Sequence, residues 1–267
     1  GNTIVFKPAS LAPNVTRKVV ECLEEAGLPG GVLNYVTGAG SELGDPLSSH
    51  EDIDGVSFTG STTVGTIVAE SAAEDLKRVQ AEMGGKNPTI VTDSADLAEA
   101  AEVCGVGGFG TTGQSCTACS RAIVYEEVYE EFVDELVDYA EGLEVGPGLD
   151  DPGMGPHVSA DELESTLDYV EVANKEGATH ETGGEELTGG AYDDGYFVSP
   201  AVFSDVESDM RIAQEEVFGP VVAVIPVSGF EEALDVANDV DYGLSASIVT
   251  DDHSEAEQFI DDVESGV

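Results

Sequence analysis

Residues 109–121, FGTTGQSCTACSR, place two thiols three positions apart, Cys116 and Cys119, in a run of small and polar side chains. Three chemistries suit that spacing. A single half-exposed cysteine with backbone donors around it and a lowered pKa is a nucleophile. A CxxC pair is a redox dithiol, or half of a zinc site if two more ligands exist. The zinc reading lacks its other half: there is no second CxxC, and His50, His157, His180 and His253 form no HxxxH pair. A thioredoxin-type dithiol starts a helix in a small domain, whereas this pair lies deep in a long chain. A Cys-His hydrolase stays open, because spacing excludes none of the four histidines. On the residues alone, Cys116 remains open as nucleophile, structural thiol, or redox or metal group. If it is a nucleophile, the loop is expected to enter a helix whose first N–H groups supply donors and depress the thiol pKa. Cys22 and Cys104 fall on helical patterns and are expected to be buried as small hydrophobes.

Three other stretches carry candidate chemistry, each with a plainer alternative. In AEMGGKNPTIV, Glu82 precedes Gly84 and Gly85, which leave a carboxylate room and a mobile backbone, as suits a base reaching for water. A surface Glu before a turn is the plainer reading. In GVSFTGSTTVG a strand runs into Gly60 and Ser61 and then a helix, whose first N–H groups favour an anion. It matches neither GxGxxG nor GxxxxGK[ST], so an ordinary strand–helix turn stands equally. In VFKPAS, Lys7 sits at a strand end with Pro8 enforcing an extended exit. The chain has five lysines, so this one could neutralise ribose or phosphate oxygens, or simply be solvated. The segment GGEELTGGAYDDGYF reads as a surface loop rather than a phosphate site.

The elements that must position these groups alternate. TIVFKP, VLNYVTG and GVSFTG read as strands. NVTRKVVECLEEAG reads as a helix closed by Gly27 and Pro29, SELGDPLSSH as a short helix broken by its proline, and STTVGTIVAESAA as a helix with Ser61 near its N-cap. That rhythm predicts a parallel sheet of βαβ units. Beyond it come longer pieces: helices at DLAEAAEVCGVGGFGT, EEFVDELVDYAEGL, ADELESTLDYVEVANKEG, FEEALDVANDV and SEAEQFIDDVESG, and strands at RAIVYEE, FGPVVAVIPV and LSASIVT. The change of rhythm suggests a seam near residue 82, hence domains 1–81 and 82–267 of an α/β protein.

Charge limits the partners. The 267 residues hold 55 acids and 9 bases, a net charge of −46, with 41% hydrophobic residues. A phosphate backbone would be repelled, so no nucleic-acid partner is expected. The acids are spread through periodic apolar segments rather than gathered in a tail, so a folded protein is expected that needs strong screening. That composition resembles the cytoplasmic proteins of salt-accumulating halophiles. No run of about 18 apolar residues is present, so no membrane helix is expected. The chain begins without Met in an apolar, β-prone run and ends just after a helical pattern, which suggests a piece of a longer protein.

Together, GNTIVFKPAS, LPGGVLNYVTGAG, FTGSTTVG, EMGGKNP, GQSCTACSR, GYFVSPAVF and QEEVFGPVVAV resemble, in this order, the aldehyde dehydrogenase superfamily over nearly the whole chain. The resemblance implies a Rossmann-like, parallel-sheet part of the cofactor domain over 1–81, its C-terminal half, followed by an α/β catalytic domain over 82–267. It implies Cys116 as the catalytic thiol and Glu82 as general base. Lys7 would meet the adenosine ribose, Gly60 and Ser61 the pyrophosphate, Glu216 the nicotinamide ribose, and Phe218 the ring. Cys119 matches no functional position. The chemistry implied is NAD(P)-dependent oxidation of an aldehyde through a cysteine thiohemiacetal and thioester, with hydrolytic release. Ser10 stands where an acidic residue would repel a 2′-phosphate, which favours NADP, with NAD as the other choice. No metal is implied. GQSCTACSR, MRIAQEEVFGP and DYGLSASIVT resemble the 2,5-dioxovalerate (2-oxoglutarate semialdehyde) dehydrogenases, with succinate semialdehyde dehydrogenases close by. Arg121 is a conceivable anchor for such a substrate's carboxylate, with a structural role the plainer reading. The family's oxyanion-hole Asn falls upstream of Gly1, so the 267 residues alone are expected to be inactive and the full protein to be a homodimer or homotetramer. The rival readings are a cysteine hydrolase or acyl transferase without hydride transfer, and a dithiol or metal module using Cys116 and Cys119.

Overall fold

Short strands separated by helices organise the first part of the chain. The computed structural model describes residues 1–266 and separates a first unit, Gly1–Met83, from a second that begins at Gly84. In the first unit, β1 (Ile4–Phe6) pairs in parallel with β2 (Leu33–Tyr35), the two joined by α1 (Pro13–Glu25). Pro13 at the start of α1 has its φ pre-set for the helix and no N–H to leave unpaired. After α2 (Gly40–Ser49), β3 (Gly55–Thr59) runs through α3 (Thr62–Ala73) to a parallel partner, β4 (Arg78–Glu82). Among the described residues these are two separate parallel ribbons. The break expected at Pro46 does not occur: α2 continues through it, and Ser48 ties α2 to α3 by a 2.9 Å hydrogen bond with Ser71. Cys22, expected to be buried, is exposed. Its helix buries only Val20 in this structure, because three-residue strands cannot cover the apolar residues α1 carries.

The second unit is built on one six-stranded sheet, in which β5 (Asn87–Val91), β6 (Cys119–Tyr125), β10 (Ala201–Ser204) and β11 (Val221–Val227) form the interior. Around them come α4 (Leu97–Phe109), α5 (Tyr129–Gly142), α6 (Ala160–Glu176), β7 (Thr179–Thr182), β8 (Glu186–Leu187), β9 (Phe197–Val198), α7 (Arg211–Gln214), α8 (Phe230–Asn238), β12 (Ser247–Val249) and α9 (His253–Asp262). The strand order is β12-β5-β6-β11-β10-β7, parallel except for β7 against β10. Period-two alternation divides each strand between two cores. Ile90, Ile123 and Ile225 pack with Val170, Ala173, Leu234 and Phe259 on one face. Val91, Ala122, Val124 and Val224 pack with Cys104, Phe109, Phe132 and Leu136 on the other. A sheet covered by helices on both faces explains the nearly unbroken apolar run VVAVIPV. The acids of α5 lie on its solvent side, and α6 starts at the Ser159 cap and stops at Gly177, φ 102°. The Gly-rich segment read as loop also holds the small β8–β9 hairpin. No helix among the described residues is long and apolar enough to cross a membrane.

Candidate active site

The turn carrying Cys116 begins with backbone that side chains rarely accept. After α4, Thr111, Thr112 and Gly113 take φ values of 54°, 61° and 64°. For β-branched residues this costs on the order of 1–3 kcal/mol each, so the surroundings must hold the turn. They do so in three places. Thr112 is buried and its hydroxyl donates to the Gly155 carbonyl at 3.0 Å. The Gln114 side-chain oxygen accepts the Val158 N–H at 2.9 Å. Gly113 lies against the Gly219 carbonyl, where any Cβ would collide.

Cys116 follows in a half-buried turn that leads directly into β6. The helix expected behind the thiol is absent, because the chain from Cys119 on is already paired with β5 and its run RAIVY is apolar and β-branched. The Asn87 amide donates to the Cys116 carbonyl at 2.8 Å and to the Ala118 carbonyl at 2.9 Å. Gly85 passes between two predicted site residues. Its N–H donates to Glu216 at 3.1 Å, and a Cβ there would stand 2.5 Å from the Cys116 carbonyl oxygen. Gly84 would likewise collide with the Glu216 carboxylate. These glycines therefore serve close approach within the second unit, where mobility was expected of them.

Glu216 is half-buried, and burial raises its carboxyl pKa against the opposing pull of the Gly85 N–H and the Lys86 charge. Phe218 follows with φ 57° and an exposed ring. Glu215 is clamped by the Arg211 guanidinium at 2.8 and 2.9 Å and by the Tyr169 hydroxyl at 2.7 Å. The Arg211 bonds hold its carboxyl below the usual range.

Two buried cations flank this turn. The Lys86 ammonium has no hydrogen-bond partner among the described residues, and burial, aided by the Arg121 charge, lowers its pKa to about 7. Arg121 is 1% exposed and donates to the Lys86, Val236 and Ala237 carbonyls at 3.0, 2.8 and 2.9 Å. All of its nitrogens serve the fold, which gives it the structural role. Cys119 is buried, accepting from the Thr89 hydroxyl at 3.2 Å and from the Cys104 thiol; that bond pulls the Cys119 pKa down and pushes the Cys104 pKa up.

The first unit holds the remaining predicted residues. Lys7 follows β1 and donates to the Pro8 carbonyl at 2.9 Å. Ser10 is exposed and lines a shallow cavity of about 290 Å³ with Pro8, Ala9, Thr37 and Gly38. The Gly60 N–H donates to the Glu82 carbonyl at 3.1 Å, and Ser61 caps α3 by accepting the Val64 N–H at 3.4 Å. The opening N–H groups of α3 are the unsatisfied donors of any helix start, which fits an anionic group. Glu82 ends β4 as an exposed carboxylate that accepts from the Gln80 amide at 3.3 Å. Asn87, Lys86, Thr112 and Gly113 were not singled out in the sequence. The one available signal was a polar pair, Lys-Asn, opening an otherwise apolar strand.

The second unit is thus an α/β sheet covered by helices on both faces, with the half-buried Cys116 in the turn that enters β6. The chain belongs to the aldehyde dehydrogenase family, whose family model matches residues 1–267. It is 64% identical over 267 residues to an alpha-ketoglutarate semialdehyde dehydrogenase of Haloferax volcanii, covering 100% of this chain and 55% of the relative. It is 48% identical over 268 residues to an alpha-ketoglutaric semialdehyde dehydrogenase of Bacillus subtilis, again 100% against 55%. The betaine aldehyde dehydrogenase of Staphylococcus aureus, solved in complex with NAD+, superposes with a TM-score of 0.95 at 38% identity, covering 99% of this chain and 52% of that one. The chain thus spans about half the length of the proteins it resembles.

Proposed function

We propose that the whole protein oxidises a carboxylate-bearing aldehyde of the 2,5-dioxovalerate type to the acid, using NADP or NAD. Residues 1–81 would form the C-terminal half of the dinucleotide-binding domain and 82–267 the catalytic domain. Lys7 and Ser10 take the adenosine side, Gly60 and Ser61 the pyrophosphate, and Glu216 with Phe218 the nicotinamide side. When bound, the dinucleotide supplies the acceptor for the hydride. The Cys116 thiolate attacks the aldehyde carbon, and its own backbone N–H stabilises the oxyanion of the thiohemiacetal. Loss of hydride from that carbon leaves a thioester on Cys116. Glu82 takes a proton from water, which attacks the thioester and releases the acid and the free thiol.

The observation that carries this reading is Gly85, which touches the Cys116 carbonyl on one side and the Glu216 carboxylate on the other. The substrate class rests on the names of the two semialdehyde dehydrogenase relatives. NADP is favoured because Ser10 adds no negative charge beside the 2′-position. Four free cysteines suit a reducing cytoplasm, and the family resemblance favours a homodimer or homotetramer.

The test is reduction of the dinucleotide by full-length protein, followed by absorbance, with 2,5-dioxovalerate and succinate semialdehyde compared. Cys116→Ser is expected to abolish it and Cys119→Ser to leave most of it. Turnover that survives Cys116→Ser, or acyl transfer without any dinucleotide reduction, would refute the reading. A preference for NAD over NADP of about tenfold or more, about 1.4 kcal/mol, would remove the role given to Ser10.

A further inference from the structure

Asn87 stands where β5 cannot hold its neighbour by backbone. The next residue, Pro88, has no N–H, and the pairing shifts there, from Asn87 opposite Cys119 to Pro88 opposite Arg121. The Asn87 side chain supplies the missing donors: its amide bonds the Cys116 carbonyl at 2.8 Å and the Ala118 carbonyl at 2.9 Å. Its oxygen accepts the Ser245 N–H at 3.1 Å, so both amide hydrogens and the oxygen are used, and the residue is 5% exposed. Gly85 closes the other side of the same carbonyl. The Cys116 N–H has no acceptor among the described residues.

We infer that Asn87 is a positioning residue for the reaction: by clamping the Cys116 and Ala118 carbonyls it fixes the backbone just after Cys116, and through the Cα of Cys116 it restrains both the thiol and the N–H that must meet the developing oxyanion. This rests on the role given to Cys116 above. Asn87 does not touch the reacting atoms. Its chemistry is that of two donors and one acceptor on one planar group. An aspartate keeps the acceptor for Ser245 and sets a second oxygen against two carbonyls. A serine is too short to span both.

The experiment uses full-length protein carrying Asn87→Asp or Asn87→Ser, with circular dichroism and thermal midpoint to count folded subunits. The kcat per folded subunit is expected to fall about 100-fold, the cost of a displacement of about 1 Å at a reacting group. The Kd for reduced dinucleotide, read by its fluorescence in the absence of substrate, is expected to stay within about twofold, as for a group acting only on the chemical step. A kcat per folded subunit within about threefold of the parent in either variant overturns the inference. So does a dinucleotide Kd that weakens in step with kcat, or failure of both variants to fold, since each marks a purely structural role. Cys116→Ser, measured alongside, keeps the two readings apart: surviving turnover there sinks the proposed function, whereas normal Asn87 variants beside an inactive Cys116→Ser sink only this inference.

Discussion

Replacing Lys86 by Met is expected to stabilise the chain in acid and to flatten its stability profile above neutrality. The ammonium is 2% exposed and has no hydrogen-bond partner among the described residues, while Arg121 adds a like charge. Burial lowers its pKa from 10.5 to about 7. Each pH unit of such a descent is worth about 1.36 kcal/mol, so burying the charged form costs on the order of 5 kcal/mol. Between about pH 7 and 10.5 the unfolded chain holds a proton that the folded chain has released, so this group makes stability rise with pH across that window. Below about pH 7 both states are charged and the cost is fully present. Methionine fills similar volume without a charge. Part of the gain is lost with the attraction to Glu216 and Glu215. A net stabilisation of about 3 kcal/mol is expected near pH 6, shrinking to under about 1 kcal/mol near pH 9.5. Urea unfolding at fixed salt, followed by circular dichroism with an unchanged m-value, reads both numbers. Parallel pH profiles for the two proteins, or a loss of about 1 kcal/mol or more near pH 6, would show that Lys86 is solvated or paired and that the reasoning fails.

Two further substitutions test the framework of the site. Gly113→Ala places a Cβ against the Gly219 carbonyl at φ 64°, and is expected to cost about 2 kcal/mol or more, with a lower thermal midpoint; unchanged stability would refute the close approach. Arg121→Leu leaves the Lys86, Val236 and Ala237 carbonyls without their donor, and is expected to cost about 3 kcal/mol in urea unfolding. A raised KM for the aldehyde with stability intact would restore Arg121 as a substrate anchor.

Periodicity made most elements legible. The βαβ alternation, the Ser61 cap and the glycine that ends ADELESTLDYVEVANKEG are local signals, and each is found where the residues place it. What failed was local pattern judged without its partner surface. Cys22 lies on a helical stripe that the short β1 and β2 leave exposed. The expected helix after Cys116 is displaced by pairing with β5, a partner far away in sequence that no window of neighbours contains. THET and AVFS were not read as strands, because one is polar and both are short; only pairing with each other and with β11 defines them.

The candidate site shows the same division. Residue type alone left Cys116, Glu82, Lys7, Gly60 and Ser61 each beside a plainer reading, and only the resemblance of the ordered motifs to the aldehyde dehydrogenase superfamily gave them roles and added Ser10, Glu216 and Phe218. The supports came only from the folded second unit: the left-handed turn at Thr111, the Asn87 clamp, the Gly85 contact with both Cys116 and Glu216, and the unpartnered Lys86. Residue types and motif order are present in the chain before it folds. The distances and burial that orient the side chains depend on segments remote in sequence, and those meet only when the sheet forms.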